Sequence, residues 1–463
     1  MCDIIKFMKL FLGKRITEFA LSLGKPLYVV GGAVRNFLID NSIAEDIDLA
    51  AAIPAEEFYT ALNRFGFSVL AEYKRTGTVM FSDGERKYEY TAFRKESYVG
   101  GEHTPFATEF TLNLIEDACR RDFKCNAVYY DIAKDQIVDP LGGLNDIKNK
   151  ILDTVISPDE VFCNDGLRLM RLARFSGELN FKPTEEVLIS AEKYAENINA
   201  ISPERVFSEL NKILSADKKY PFSDRRGHYT ALKILDRTKV LDKIMPELTE
   251  GRGMAQRADF HKYDVLEHSL RSALYAEEKV RLAALLHDVG KPFCMKRDGW
   301  YHYHYIEGVK ISDRILKRLK ADKETIKKVG YLIKTHMVDL DCSMSEKKVR
   351  KFIVDNFNKY YDELLLVKQA DYRASLEDES VAPTLVKWEK IFSLMKKDGT
   401  PFTLKDLKIT AADLIDAGYS NNEIGKELKK LHDFAVSNPD KNDRKILIDL
   451  LKKDISKIKE NKK

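Results

Sequence analysis

The 463-residue sequence has few cysteines and no pattern among them. Its six cysteines include no C-x-x-C pair, which argues against a zinc ribbon or a disulfide framework and favours a reducing cytoplasm. No apolar run is long enough to span a bilayer, and the first residues lack a small-residue cleavage site, so neither a membrane span nor a signal peptide is expected. A cytoplasmic protein without a membrane partner is therefore expected.

The sequence also has little excess of one charge sign over the other. The net charge is only +4, which gives no global signature of nucleic-acid binding. Residues 441–463 nevertheless hold nine Lys or Arg against four Asp or Glu, a local net charge of +5. Such a basic end can follow an RNA phosphate backbone or simply keep a terminus soluble, and charge alone leaves both interpretations open.

What the sequence does contain is an ordinary globular composition in two parts. Hydrophobic residues make up 44% and charged residues 32%, and the length suggests about three domains. The first third has strand-like runs at Tyr28–Val30, Thr78–Phe81, Tyr88–Ala92 and Ala127–Asp131. From about residue 155 the pattern becomes helical, with a predicted helix start at Ser202-Pro203 and a break at Asn438-Pro439. Composition shifts indicate boundaries near residues 155, 250 and 380.

A glycine turn follows the first predicted strand. Gly31 and Gly32 end the apolar run, and Arg35 comes three residues later. Glycine lets backbone N–H groups approach a phosphate chain closely, and the start of a following helix adds a favourable dipole. Arg35 can form bidentate contacts with phosphate. An isolated glycine pair is nevertheless more often a plain turn.

Three carboxylates complete the first candidate site. Asp46 and Asp48 are two residues apart, so on a strand both point to the same face. Two such carboxylates repel unless a divalent cation neutralises them, and oxygen ligands favour magnesium. Glu89, on another strand-like run, is the candidate third carboxylate. A turn beside paired carboxylates is the minimal equipment for metal-assisted nucleotidyl transfer.

Two further segments carry charged residues at helical spacing. If the segment around Arg121 is helical, Asp122 and Asn126 lie one turn apart on one face. Asp165, Arg168, Arg171 and Arg174 recur every three residues and predict a polar helix stripe. The stripe has an excess of positive charge that suits a phosphate partner, although a surface stripe of salt bridges is the alternative. An Asp and an Arg one turn apart can also hydrogen-bond the edge of a base.

The ordered segments GGAVR, DID, RRDFKCNA, DPLGGLND, NDGLRLMRLARF and SPERVFSEL carry a family resemblance. Over roughly residues 25–250 the chain resembles the bacterial (class II) CCA-adding tRNA nucleotidyltransferase and poly(A) polymerase family. The resemblance implies an α/β (α+β) polymerase-β-like head at residues 1–155 and an all-α neck at 156–250. An HD domain at 251–380 and a helical, basic tail at 381–463 contacting tRNA would follow.

The resemblance also implies roles for individual residues. Asp46 and Asp48 would bind Mg²⁺, with Glu89 as third catalytic carboxylate. Nucleotide contacts would come from eight residues: Gly31, Gly32, Arg35, Arg121, Asp165, Arg168, Arg171 and Arg174. Asp165 and Arg168 would pair with the base of CTP or ATP.

The chain departs from the family pattern at two positions. The turn motif usually ends in Asp, where this chain has Asn36, and the neck motif usually opens with Glu, where it has Asn164. These changes put helix capping and outer hydrogen bonds in doubt more than the main assignment. Gly100–Phe110 resembles the loop that members need for the final A addition, which favours full CCA addition.

Histidines concentrate in the second half of the chain. Six of the nine lie between residues 261 and 336, and a His-Asp pair is followed by Gly-Lys-Pro. Neutral imidazoles with carboxylates suit a transition metal. This part resembles the HD metal-dependent phosphohydrolase superfamily. The resemblance implies the ligands His268, His287, Asp288 and Asp371, with His304 and His336 matching the extra histidines of two-metal versions.

The expected function is template-independent addition of C, C and A to the 3′ end of tRNA from CTP and ATP, without an obligatory protein partner. The alternatives are a poly(A) polymerase, an enzyme that adds only CC or only A, and an HD phosphohydrolase acting on RNA ends. The HD domain is either a second enzyme or a domain kept for packing and RNA positioning.

Overall fold

The computed structural model describes residues 12–42, 46–73, 76–98, 101–102, 105–259, 261–357, 359–377 and 379–460, without the side chains of residues 46, 376 and 454–460. The chain forms two compact units. The first comprises Met1–Thr249 with Lys317–Ala321, and the second comprises Glu250–Leu316 with Asp322–Lys463.

The first unit is built on a seven-stranded mixed sheet. Its strand order is β3-β4-β5-β2-β1-β8-β9. These strands are β1 (Tyr28–Val30), β2 (Asp46–Ala51), β3 (Ser68–Tyr73), β4 (Thr78–Ser82), β5 (Lys87–Ala92), β8 (Tyr129–Asp131) and β9 (Gln136–Val138). The hairpin β6 (Arg94–Ser97) and β7 (Ala107–Phe110) and the short pair β10 (Ile151–Leu152) and β11 (Lys182–Pro183) lie outside it. The α/β head expected from the sequence is confirmed.

Alternation along the strands decides which residues reach the core. In β5, Tyr88 and Tyr90 are buried, whereas Lys87 and Glu89 are exposed. This is the two-residue period of a strand with one covered face. Phe58 and Phe81 are fully buried in the same core. The other face of β5 is therefore exposed and carries polar side chains.

Helices make up the rest of the first unit. The head contains α1 (Lys14–Ser22), α2 (Gly32–Asp40), α3 (Ala55–Phe65), α4 (Leu114–Cys119) and α5 (Gly143–Asn149). The helices that follow are α6 (Pro158–Asn164), α7 (Leu167–Leu179), α8 (Glu185–Lys193), α9 (Pro203–Leu214), α10 (Gly227–Arg237), α11 (Val240–Ile244) and α12 (Pro246–Thr249). Leu169, Leu172 and Phe175 of α7 are buried and form its core face. The helix start predicted at Ser202-Pro203 is confirmed by α9.

The second unit is helical in the part of the chain that the structure describes. It contains α13 (Val265–Tyr275), α14 (Arg281–Leu286), α15 (Lys291–Asp298), α16 (His304–Arg318), α17 (Lys323–Thr335), α18 (Glu346–Asn356), α19 (Tyr361–Leu376), α20 (Pro383–Lys397), α21 (Ala411–Asp416), α22 (Asn421–Ser437) and α23 (Arg444–Glu460). The break predicted at Asn438-Pro439 separates α22 from α23. Among the described residues, none of the helices has the length and apolar character needed to cross a bilayer.

Candidate functional site

The glycine turn lies directly against a carboxylate. Gly31 follows β1 and has a φ of 77°, a positive value that glycine adopts without strain. A Cβ atom at this position would lie 3.3 Å from Oδ2 of Asp48 and 4.0 Å from Nη1 of Arg121. Gly32 then opens α2. The turn, a carboxylate and an arginine therefore meet at one point, where the amides at the start of α2 can receive an anion.

Asp48 and Glu89 lie next to each other on parallel strands. The β2–β5 register pairs Asp48 with Glu89 directly, and both residues are exposed. The backbone of Asp46 lies two residues earlier in β2, but its side chain is outside the described residues. Neighbouring carboxylates of this kind are the hard oxygen donors that a divalent cation prefers.

Arg121 is held by a buried carboxylate that the sequence analysis missed. Its Nη2 lies 3.1 Å from Oδ2 of Asp117, and its Nε donates to the hydroxyl of Tyr129. Burial alone would raise the pKa of Asp117, but Arg120, Arg121 and the Tyr129 hydroxyl lower it to about 2. The four-residue spacing of Asp117 and Arg121 was the available signal, because one helical turn brings such a pair together.

Arg35 lies inside the head rather than on the turn surface. Its side chain is buried, with the residue 2% exposed. The guanidinium donates to the amide oxygens of Asn36 and Asn126 and to the hydroxyl of Tyr220. It also lies 5.2 Å above the ring of Phe175. A direct phosphate contact would require Arg35 to leave these partners.

The segment around Asp122 is not helical. A short 3₁₀ turn covers only Lys124–Asn126, so Asp122 precedes it in an irregular stretch. The condition set for Asp122 and Asn126, a helical segment, is therefore not met. The two side chains still meet, because Nδ2 of Asn126 donates to Oδ1 of Asp122 over 3.0 Å.

Asp165 also lies outside the helix predicted for it. The chain turns at Gly166, where a Cβ atom would lie 2.2 Å from the carbonyl oxygen of Asn197. Helix α7 then starts at Leu167, whose N–H donates to Asp165 over 2.9 Å. Asp165 therefore accepts a hydrogen bond from the first residue of α7 instead of extending its stripe. Burial outweighs the attraction of Arg168 and raises the pKa of Asp165 to about 6.

The base-reading candidate Arg168 lies beside Asp165. Their Nε and Oδ2 atoms are 3.7 Å apart, and Nη2 of Arg168 donates to the Arg120 carbonyl oxygen over 2.6 Å. The guanidinium also lies 5.5 Å from the ring centre of Tyr98. Asp165 and Arg168 are both buried. The pair is thus held in a fixed arrangement at the start of α7.

The remaining arginines of α7 have carboxylate partners that the spacing could not reveal. Arg171 contacts Oδ2 of Asp122 at 2.6 Å, and Arg174 contacts Oε1 of Glu209 at 3.0 Å. Glu178 lies 3.8 Å from Arg174. The positive excess expected from the sequence is therefore offset in part by residues from other segments. The stripe is not a surface one, because Arg168 and Arg174 are buried.

The second unit brings all six predicted HD residues together. Nε2 of His268 lies 3.2 Å from Nε2 of His287 and 3.0 Å from Oδ1 of Asp371. Oδ2 of Asp288 faces these histidines, at 3.4 Å and 3.2 Å. These donors form the first half of the centre.

The other oxygen of Asp288 faces a second half. Oδ1 lies 3.2 Å from Nε2 of His304 and 3.9 Å from Nε2 of His336. The two histidine nitrogens are 3.4 Å apart. One carboxylate thus faces two groups of imidazoles, so it could donate an oxygen to a metal ion held by either group.

Backbone carbonyls orient three of these imidazoles. Nδ1 of His287 lies 2.7 Å from the Ala284 carbonyl oxygen, and His304 and His336 have equivalent contacts with Tyr301 and Ile333. A protonated Nδ1 leaves Nε2 free to bind a metal. Burial lowers the pKa of His336 to about 3, which favours the neutral ligand form. Burial would also lower the pKa of His287, but Asp288 and Asp371 raise it to about 10, so the two carboxylates favour a positive charge beside them. The donor set therefore fits one or two divalent ions.

Close backbone packing holds His304 in the centre. A Cβ atom at Gly290 would lie 2.1 Å from the His304 carbonyl oxygen and 2.7 Å from the amide nitrogen of Gly308. Lys291, which the sequence analysis quoted without a role, lies 2.6 Å from Oδ2 of Asp288. Gly290 thus allows helix α16 to pack closely against its backbone, and Lys291 places a cation beside Asp288.

Three protein families match successive parts of this chain. Residues 27–153 match the poly A polymerase head domain, residues 180–251 the probable RNA and SrmB-binding site of polymerase A, and residues 263–418 the HD domain. The nucleotidyltransferase and HD families typically use divalent metal ions. Two groups among the described residues have the matching donors, His268-His287-Asp371 and His287-Asp288-His336.

Curated relatives carry related names. The chain is 30% identical over 326 residues to the multifunctional CCA protein of Acinetobacter baumannii, covering 67% of this chain and 74% of the relative. It is 34% identical over 281 residues to the A-adding tRNA nucleotidyltransferase of Deinococcus radiodurans, covering 57% of this chain and 61% of the relative. The first three relatives are matched over 61%, 49% and 56% of their lengths.

Solved structures share the fold. The Bacillus stearothermophilus CCA-adding enzyme in complex with CTP superposes with a TM-score of 0.64 at 21% identity, covering 96% of this chain and 97% of the other. The Thermotoga maritima CCA-adding enzyme complexed with tRNA has a TM-score of 0.63 at 20% identity, covering 97% and 96%.

Proposed function

Because the chain belongs to the family of CCA-adding tRNA nucleotidyltransferases and poly(A) polymerases, we propose that it adds C, C and A to the 3′ end of tRNA from CTP and ATP without a nucleic-acid template. The observation that carries the proposal is the meeting of the Gly31 turn, Asp48 and Arg121, with Glu89 in register beside Asp48. The relatives supply the substrates, since their names mention CCA addition, CTP and tRNA.

Asp46, Asp48 and Glu89 would hold Mg²⁺, which supplies charge neutralisation at the α-phosphate and activation of the attacking 3′ hydroxyl. The chain's own task is to position the substrates. Amides of the turn at Gly31 and Gly32 would bind the triphosphate, and Arg121 would neutralise charge on it. The attacking oxygen and the leaving pyrophosphate would then lie in line.

Arg35 has a different role in this proposal. Because its guanidinium donates to Asn126 and Tyr220, it would position the segment that carries Asp122 instead of contacting phosphate. Asp122 in turn holds Arg171, one helical turn from Arg168. This series of contacts would fix the nucleotide site.

Base selection would rest on Asp165 and Arg168. A carboxylate accepts hydrogen bonds from the exocyclic amine of cytosine or adenine, and a guanidinium donates to ring acceptors. Arg171 and Arg174 would line the site from the same helix. CTP and ATP share the amine that Asp165 would recognise, whereas UTP lacks it.

The remainder of the chain would bind the tRNA. The basic segment 441–463 would contact its phosphate backbone. The boundaries at residues 155 and 380 remain part of the proposal. We also propose a cytoplasmic location, where the proposed tRNA substrate would be found, and no obligatory protein partner.

The test is incorporation of labelled CTP and ATP into a tRNA transcript that lacks CCA, with magnesium, by the wild type and Asp48→Asn. We expect incorporation of both nucleotides by the wild type and none by the variant. Incorporation that survives Asp48→Asn would refute the assignment of the carboxylates. Incorporation of ATP alone would favour an A-only enzyme or a poly(A) polymerase.

A second candidate function is metal-dependent phosphate ester hydrolysis in the second unit. It is favoured by Asp288, whose two oxygens face His287 and His304. The residues would hold transition-metal ions, which supply a hydroxide nucleophile when bound. Release of phosphate from a simple monoester by the metal-loaded wild type, and its loss in Asp288→Asn, would establish this activity. Metal binding without turnover would leave a domain for packing and RNA positioning.

A further inference from the structure

A basic loop, residues 218–226, joins α9 to α10 in the first unit. It holds four Lys or Arg against one Asp, and all four cations are exposed. Three of them have no carboxylate partner in the described part of the chain: Lys219, Arg225 and Arg226. The fourth, Lys218, lies 3.9 Å from Asp217. The loop therefore presents positive charge that the protein itself does not neutralise.

The basic loop is fixed to α7, the helix that carries Arg168. The Ser223 hydroxyl donates to the Glu178 carbonyl oxygen over 2.7 Å. Where the loop ends, a Cβ atom at Gly227 would lie 2.5 Å from the Gly177 carbonyl oxygen, so glycine permits this close contact. The loop cations thus extend from a backbone that is already ordered, which lowers the entropy cost of binding a ligand.

A tyrosine of the basic loop contacts the helix that follows the glycine turn. The Tyr220 hydroxyl accepts a hydrogen bond from Nη2 of Arg35 over 3.1 Å. The same Nη2 lies 3.6 Å from the position of a Cβ atom at Gly32. The Tyr220 ring is stacked on Phe222, with ring centres 5.0 Å apart. Arg35 therefore links the loop to the turn proposed to bind the triphosphate.

The order of contacts along α7 gives the nucleotide a direction. Arg168 lies in the first turn, the Arg35 guanidinium lies 5.2 Å from the Phe175 ring, and the loop contacts Glu178. Intervals of seven and three residues keep these positions on one side of the helix. Arg168 and Glu178 are about 15 Å apart along the helix axis. A nucleotide with its base at Arg168 and its phosphates at the turn would direct its phosphate end towards the loop.

The charge of Lys219 reaches the same carboxylate as the charge of Arg35. Burial raises the pKa of Glu178, and the positive charges of Arg35 and Lys219 oppose this rise. Glu178 itself is buried and lies 3.8 Å from Arg174. Lys219 is therefore close to Arg35, on the side of the loop that faces the turn.

We propose that Lys219, Arg225 and Arg226 bind the β- and γ-phosphates of the incoming nucleotide and hold the pyrophosphate that leaves. The proposal rests on the nucleotidyl transfer proposed above. Ammonium and guanidinium groups form charge-assisted hydrogen bonds with phosphate oxygens, and arginine can form two in parallel. The phosphodiesters of RNA offer the same chemistry, but the contact between Tyr220 and Arg35 favours the phosphates bound at the turn.

The test compares ligands with and without these phosphates. The loop variant combines Arg225→Gln with Arg226→Gln, and the control of equal charge combines Lys148→Gln with Lys182→Gln, both exposed in the same unit. Equilibrium dialysis of the full-length protein with labelled CTP and magnesium, without tRNA, measures the dissociation constant. We expect the loop variant to bind CTP about tenfold more weakly and the control to bind it like the wild type. CMP, which lacks the β- and γ-phosphates, should bind equally to all three.

Steady-state incorporation gives two further readouts. Pyrophosphate should inhibit CTP incorporation about tenfold less strongly in the loop variant, whereas the KM for tRNA should stay unchanged. Lys219→Gln should shift the CTP and pyrophosphate constants in the same direction. Equal weakening of CMP and CTP would show that the loop supports the whole site and not the phosphates, which would overturn the proposal. A raised KM for tRNA with unchanged CTP binding would assign the loop to the RNA backbone and also overturn it.

CTP binding separates failure of this proposal from failure of the proposed function. Weaker CTP binding by the loop variant, together with no incorporation by the wild type, would sustain the phosphate contacts and refute CCA addition. Incorporation by the wild type, with CTP binding unchanged in the loop variant, would do the reverse. A wild type that binds no CTP would overturn both.

Discussion

Asp48 and Glu89 are direct partners in the parallel register of β2 and β5, so two carboxylates from segments 41 residues apart lie on one face of the sheet. Val30, the last residue of β1, pairs with Asp48 from the other side. The strand that delivers the glycine turn therefore also flanks the carboxylates. We propose the catalytic site here because the strand before the turn and the two strands that carry the carboxylates are neighbours in the sheet.

Glu89→Gln tests whether the third carboxylate takes part. Loss of a charged donor to magnesium should lower nucleotide incorporation by about 10³-fold, or roughly 4 kcal/mol of transition-state stabilisation. Steady-state incorporation into a tRNA transcript measures the effect. The matched control is Glu85→Gln, an exposed glutamate in the turn before β5, which should retain full activity. Equal activities of the two variants would remove Glu89 from the site.

Asp122→Ala should destabilise the first unit. Asp122 is buried and contacts Arg171 at 2.6 Å, so its loss leaves a charged group without its partner, at a cost of about 3 kcal/mol. For a unit of this size we expect a fall in melting temperature of roughly 6–10 °C in scanning calorimetry. Removal of Glu57, half of an exposed pair with Lys25, should change it little.

The ion pair between Asp122 and Arg171 predicts that the stability of the first unit depends on pH. Burial would raise the pKa of Asp122, but Arg171 and Asn126 hold it well below its usual range. A depressed pKa contributes stability above the unfolded-state pKa of about 4, and this contribution is lost as the pH falls below that value. The difference in melting temperature between wild type and Asp122→Ala should therefore shrink at low pH. A constant difference would contradict this assignment.

Selection of the nucleotide base should weaken at mildly acidic pH. The pKa of Asp165 is raised to about 6, so the residue is a hydrogen-bond acceptor above that pH and a neutral acid below it. The preference for CTP over UTP, measured as a ratio of kcat/KM, should fall about tenfold between pH 7.5 and 5. In Asp165→Asn, whose amide oxygen can still accept from the Leu167 N–H, the ratio should not vary with pH.

The titration of Asp165 does not destabilise the fold at the lower pH, so unfolding caused by this residue would not explain the expected fall in the CTP/UTP ratio. Because the folded-state pKa of Asp165 lies above its unfolded value, its contribution to stability is greatest below pH about 4 and is lost as the pH rises through 6. Acid therefore favours the fold at this residue while it impairs base selection. A selection ratio that stays constant across this range would remove Asp165 from base recognition.

Metal stoichiometry tests the histidine-aspartate centre. Asp288→Asn should abolish uptake of both metal ions, whereas His336→Ala should lose only the ion held with His304. Elemental analysis of the purified protein measures the metal content per chain. His302→Ala, two residues before His304 and exposed, is the matched control and should retain both ions. CCA addition should persist in all three variants, because the nucleotidyltransfer residues belong to the other unit.

Local patterns predicted much of this molecule. The apolar run at Tyr28–Val30, the alternation around Glu89 and the proline after Ser202 each gave an element at its observed place. Dense histidines beside a His-Asp pair identified a centre whose six side chains do converge. These features depend on short stretches of the chain, so the spacing of apolar residues and the residue types at turns are enough to predict them.

Contacts between distant segments escaped prediction. Arg174 meets Glu209 from a helix 35 residues away, and Arg35 donates to Asn126 and Tyr220, so neither arginine has the exposed, unpaired charge that spacing suggested. Asp165 precedes α7 instead of lying in it, and the next residue, Gly166, packs against the Asn197 backbone from a distant segment. Such relationships follow from tertiary packing, which a single sequence does not display.

The most direct test of the central claim is the length of the product. A tRNA transcript without CCA is incubated with CTP, ATP and magnesium, and the products are resolved at single-nucleotide resolution on a gel. The account predicts addition of three nucleotides, C, C and A, followed by a stop, and no addition by Asp48→Asn. Long A tails, a stop after CC or addition of A alone to a CC end would contradict it.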